Sequence, residues 1–141
     1  MLWQLLWALA LMALSVTIHA GGVTAALRRL RRRPETTPGF WRVTWLFIVV
    51  AAWMILLHLM EIGAWAALYV WKGAMSDMVS AFYFSMVTYT TTGYGDLVLP
   101  QEWRLLGGVE ALTGILMAGW STGFFFALVA RFHQPKTEAP S

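Results

Sequence analysis

Three stretches of the chain constrain its fold more than anything else. From Leu2 to Leu27, from Val43 to Trp71 and from Trp103 to Phe132 the sequence is apolar beyond the about 20 residues that cross a bilayer's hydrocarbon core as a helix. No residue from Leu2 to Leu27 carries a fixed charge, and Glu61 is the single acid of the second stretch. With no water to satisfy backbone groups inside lipid, each stretch must close its own hydrogen bonds as a helix. We therefore expect an all-α membrane protein with three transmembrane helices. A secretory signal peptide would begin with basic residues, whereas this chain begins Met-Leu-Trp-Gln, so residues 1–27 read as a retained span.

Charge sets the expected topology. Half of the ten basic residues fall between Arg28 and Arg33, immediately after the first span. A basic run in that place points to anionic lipid headgroups and a cytoplasmic connector, not to nucleic acid. The connector, residues 28–42, also holds Pro34, Pro38 and Gly39. The amino terminus is then outside, the second span runs outward, and the third returns to a short cytoplasmic tail, residues 133–141, flanked by Arg131 and Lys136.

About thirty residues separate the second and third spans, too few apolar ones to cross. Within them Asp77 to Tyr89 predicts a half-length helix with Ser76 or Asp77 as its N-cap, and the Gly-containing sequence after Thr92 predicts a re-entrant loop. Irregular backbone is tolerated at membrane depth only where it is buried in protein or lines a water-filled path.

The loop reads Thr91-Thr92-Gly93-Tyr94-Gly95-Asp96. A dehydrated cation needs oxygen ligands. Successive carbonyls can face one axis only if alternate residues adopt conformations that Gly93 and Gly95 take cheaply. The Thr91 hydroxyl can add an oxygen at the inner end. Tyr94 is expected to point away from the axis and pack on Tyr83 and Phe84, and Asp96 to mark an outer mouth favouring cations.

In this setting, residues 43–132 resemble the pore module of potassium channels, with an outer helix 43–71, a pore helix 77–89, a filter 91–96 and an inner helix 103–132. Ala81-Phe82-Tyr83-Phe84-Ser85, Glu110-Ala111-Leu112-Thr113-Gly114, and Ser121-Thr122-Gly123 through Ala130-Arg131-Phe132 are similar to the pattern of bacterial inward rectifiers. The resemblance implies a homotetramer with four-fold symmetry in a bacterial inner membrane. K+ would bind at Thr91, Thr92, Gly93 and Tyr94, conducted passively without an organic cofactor or substrate. The chain departs from the pattern at three places. Thr92 stands where such filters carry Val or Ile, Val87 stands where many carry Glu, and the first span has no counterpart in a two-span module. The large cytoplasmic domain that regulates inward rectifiers has no counterpart here either.

Gly114, Ala118, Thr122 and Phe126 recur every four residues and form a narrow face, either pore-lining or a close helix contact. The resemblance makes Gly114 a hinge, Phe126 a cytoplasmic constriction, and Glu110 a brace for the filter or pore helix. Glu61 and His58 share one helical face, as a pH-sensitive pair or as groups that satisfy each other. The histidines His19, His58 and His133 show no ligand spacing, and with no cysteine an enzyme is not expected. Tryptophans near the span ends, among them Trp3, Trp7, Trp71 and Trp103, read as interface anchors. The alternatives are a weakly selective Na+/K+ channel and a non-conducting accessory membrane subunit.

Overall fold

The computed structural model describes residues 2–31 and 39–133. The remainder of the connector, with Pro34 and Pro38, and the tail with Lys136 lie outside the described residues. Helix α1 covers Leu2–Arg31, α2 Phe40–Trp71, α3 Met78–Tyr89 and α4 Arg104–His133, with one 3-10 turn at Gln101–Trp103 before α4. Three of these helices are long and apolar enough to span a membrane, and α3 is not. The protein is all-α, as the apolar stretches require.

The boundaries follow local chemistry. Helix α1 continues past the expected Leu27 because arginine is a good helix former and its charge can leave the apolar layer. At the start of α2 the Gly39 carbonyl accepts from Arg42 and Val43, three residues earlier than expected. The chain leaves α2 through Lys72 and Gly73, the latter at φ +69, a left-handed turn that glycine takes without strain. Asp77 then caps α3, its Oδ1 accepting from the Ser80 N–H at 2.8 Å.

Helix α1 lies antiparallel to α2 and parallel to α4 and packs along both, whereas α2 and α4 meet only briefly. The packing falls into two apolar layers. One gathers Ala8 and Leu11 of α1, Ile62, Trp65 and Tyr69 of α2, Ala81 and Tyr89 of α3, and Leu106 and Met117 of α4. The other gathers Val23, Val50, Met54, Leu57, Phe124 and Leu128. The first span is thus part of the core that carries α3, not an appendage. The Trp53 indole N–H donates to the Gly22 carbonyl, and the Trp65 indole to Ser15 Oγ, fixing the α1–α2 register. At the opposite end from the basic run, Lys72 Nζ lies 3.8 Å from the Trp71 ring centre and 4.6 Å from that of Trp7. This contact ties the start of α1 to the end of α2 by cation–π attraction. Large apolar side chains such as Ile48, Ile55, Leu112 and Leu116 remain exposed on the single chain, a surface suited to lipid or to neighbouring chains.

Candidate ion-conducting site

Helix α3 ends at Tyr89, and the N–H groups that follow fold back onto its last turn. Thr91 N donates to Thr88 O, and Thr92 N and Gly93 N both donate to Val87 O. The backbone then alternates in hand, with φ +58 at Thr91, +57 at Gly93 and +76 at Gly95. Gly93 and Gly95 behave as expected. Thr91 adopts the same left-handed conformation despite its branched side chain, a position that is strained for such a residue and that function or packing must hold. The N–H groups of Thr91, Thr92 and Gly93 are turned to the helix, and residues 91–95 are exposed on the single chain. Thr90 Oγ1 and Thr92 Oγ1 lie 3.0 Å apart, so the unusual Thr92 hydroxyl has a partner within the loop.

The support of this loop differs from the expectation in one respect. Tyr94 is 72% exposed on the single chain, and the expected packing partners are engaged elsewhere. The Tyr83 hydroxyl donates to Asp96 Oδ2 at 2.7 Å, pinning the outer end of the loop to α3. Phe84 stands edge-on to Tyr69 with ring centres 5.6 Å apart. A pocket of ≈ 190 Å³ behind the loop is lined by Tyr83, Phe84, Val87, Thr88 and Asp96, among others. Val87 contributes no carboxylate there.

Glu110 of α4 is fully buried and accepts from the Tyr69 hydroxyl at 2.7 Å. It thereby braces α2, which in turn packs on Phe84 of α3. Ala118, Thr122 and Phe126 share an exposed strip of α4, free to face an axis. Gly114 does not belong with them. It is buried against the end of α3, where a Cβ would come within 1.8 Å of the Tyr89 carbonyl oxygen. Its small size is needed for that contact, and it contributes nothing to the exposed strip.

Residues 43–131 match the family model described as "Ion channel". The chain belongs to this ion-channel family. No match was found among curated proteins or among solved structures. The matched residues run from the first turn of α2 to the last turn of α4, and α1 lies outside them.

This ion-channel chain also holds a polar cluster that pattern reading missed. The sequence shows no ligand-spaced histidines, yet the fold brings His19 of α1 beside His58 and Glu61 of α2. His19 Nδ1 lies 3.0 Å from Glu61 Oε1 and His58 Nδ1 3.5 Å from Glu61 Oε2. The Tyr89 hydroxyl donates to Glu61 Oε2, and Ser121 Oγ of α4 sits 3.2 Å from His19 Nε2 and 3.1 Å from His58 Nε2. All four helices meet at this point. His19, Glu61 and Ser121 are buried. The spacing of Ser15 and His19 by four on one face of an uncharged span was the available signal. Glu61 pairs with three groups and not with His58 alone.

Proposed function

We propose that this chain is one subunit of a homotetrameric potassium-selective channel that conducts K+ passively. The observation that carries this reading is the alternating left-handed backbone at Thr91, Gly93 and Gly95 immediately after a capped half-length helix. Four such loops around an axis would offer rings of carbonyl oxygens that replace the hydration shell of K+, with the Thr91 hydroxyl at the inner end. The carboxyl end of each α3 would aim its negative dipole end at the central cavity and favour a cation there. Asp96 would concentrate cations at the outer mouth. Ala118 and Thr122 would line the cavity, and four Phe126 rings would form a hydrophobic constriction at its cytoplasmic end.

The basic run Arg28 to Arg33 supports a cytoplasmic end for the first span beside anionic lipids, and with it an outside amino terminus. A bacterial inner membrane is the location this reading expects, supported by the likeness of the pore-segment sequence to bacterial inward rectifiers. No chemistry is performed on an organic substrate.

The test is cation flux from liposomes holding the purified protein, under K+ and Na+ gradients. K+ flux that Na+ cannot replace is expected, and Gly93→Ala, forced into a left-handed conformation that costs roughly 1–2 kcal/mol for a residue with a Cβ, should abolish it. Equal flux of the two ions would assign a weakly selective pore and point to Thr92. A protein that neither conducts nor forms a tetramer would instead be an accessory subunit.

A further inference from the structure

We propose that His19, His58 and Glu61 form a binding site for a divalent transition-metal ion of the zinc type, which fastens α1 to α2 beneath the end of α3.

Three observations converge on it. The first is geometric. One ligand atom from each of the three residues lies within 4.8 Å of the others, and the carboxylate-to-imidazole separations are 3.0 and 3.5 Å. A tetrahedral zinc ion with bonds of about 2.0–2.1 Å holds its ligand atoms roughly 3.4 Å apart, so small adjustments complete the set.

The second is the accounting of protons. Both imidazoles present Nε2 to the same hydroxyl, Ser121 Oγ, and both present Nδ1 to the Glu61 carboxylate. Ser121 has one proton to give. If it donates to His19, then His58 Nε2–H donates to Ser121 and His58 Nδ1 is bare; if it donates to His58, His19 Nδ1 is bare; if it accepts from both, both are bare. With neutral imidazoles, at least one bare nitrogen therefore faces a carboxylate, and His58 Nδ1 is in fact a buried nitrogen without a hydrogen-bond partner. A metal ion resolves the conflict. It takes the Nδ1 lone pairs, and the Nε2–H groups of both rings donate to Ser121, the outer hydrogen bond that metal-bound histidines characteristically make.

The third is charge. Glu61 is fully buried, and among the described residues no lysine or arginine is buried with it. A divalent cation would balance the Glu61 carboxylate, and the carboxyl-terminal end of α3 adds a favourable partial negative charge. Two imidazoles with one carboxylate select a borderline ion such as Zn2+ over Mg2+ or Ca2+, which prefer oxygen alone. Since the Tyr89 hydroxyl donates to Glu61, the bound ion would also fix the residue against which Gly114 packs.

The test uses the full-length protein in detergent, stripped of metal and titrated with Zn2+ alone, then with Co2+ as a spectroscopic substitute. One ion per chain is expected, with X-ray absorption showing two imidazole nitrogens and carboxylate oxygen around the zinc. His19→Gln and His58→Gln should each abolish tight uptake. Ser121→Ala, which keeps every ligand, should weaken it by about 10–100-fold. Circular dichroism checks that each variant keeps its helices, and the wild-type absorption spectrum decides the ligand set even if a variant unfolds. Folded wild-type protein that takes up neither ion would overturn the proposal and leave a proton in the gap, as would uptake unchanged in the His19→Gln/His58→Gln double variant. Neither readout depends on ion conduction.

Discussion

Gly114 of α4 and Tyr89 of α3 meet so closely that a Cβ on the glycine would lie 1.8 Å from the tyrosine carbonyl oxygen. The obstacle is backbone, so no side-chain rotation relieves it. Gly114→Ala must push α4 away from the end of α3, just before Thr91. Overpacking of this kind costs about 1–3 kcal/mol. We expect a lower unfolding midpoint in detergent and loss of K+ flux together. Gly119→Ala, with open space around its Cβ position, should leave the midpoint within error.

The Tyr69–Glu110 hydrogen bond predicts a second effect on stability. The Tyr69 hydroxyl, at 2.7 Å from Oε2, is the short hydrogen bond of the buried Glu110 carboxyl. Tyr69→Phe preserves the ring against Phe84 and removes only the donor. Leaving a buried acceptor unsatisfied costs about 1–3 kcal/mol. Adding Glu110→Leu should cost less than the two single changes summed, because the second removes the acceptor that the first strands. Chemical denaturation of all three variants measures the coupling, and strict additivity would show that the bond is energetically idle.

Asp77 gives a pH dependence with a definite sign. The hydrogen bond from the Ser80 backbone N–H, together with the side-chain contacts at this cap, holds its carboxyl below the usual carboxylate range. A lowered native pKa means stabilisation that is complete above the unfolded value, about 3.9, and that fades as pH falls through the native value. Wild type should therefore lose stability relative to Asp77→Asn only on acidification below about pH 4. Asn keeps an oxygen acceptor for the cap but has no charge to lose. Thermal unfolding of both proteins across that window tests it, and a constant difference would show that the cap acts without its charge.

How far the sequence revealed the site can be seen residue by residue. Asp77 and the extent of α3 were legible because capping is a local signal. Gly93 and Gly95 were legible because only their residue type makes the alternation inexpensive. Thr91 was not, since a branched residue in a left-handed conformation contradicts its own propensity and is held by what surrounds it. Gly114 shares the four-residue period of Ala118, Thr122 and Phe126, yet it falls on the buried side. Periodicity locates a face of a helix and cannot say where another backbone will touch it. The His19–Glu61 and His19–Ser121 contacts join residues 42 and 102 positions apart, and only the seating of α1 between α2 and α4 creates them.

Tyr83 and Asp96 supply the last prediction. Their bond of 2.7 Å is the one side-chain link seen between the outer end of the loop and α3 among the described residues. Tyr83→Phe keeps the ring lining the pocket behind the loop and releases Asp96. The loop should then lose its conducting geometry more readily when few ions occupy it, so K+ flux from liposomes should decay faster than wild type at low K+ and converge with it at high K+. Asp96→Asn retains an acceptor for the Tyr83 hydroxyl, although a neutral one with a weaker bond, so its decay should fall between the two. If Tyr83→Phe decays as slowly as wild type at low K+, the bond does not hold the loop, and rigidity at that end must come from contacts with neighbouring chains.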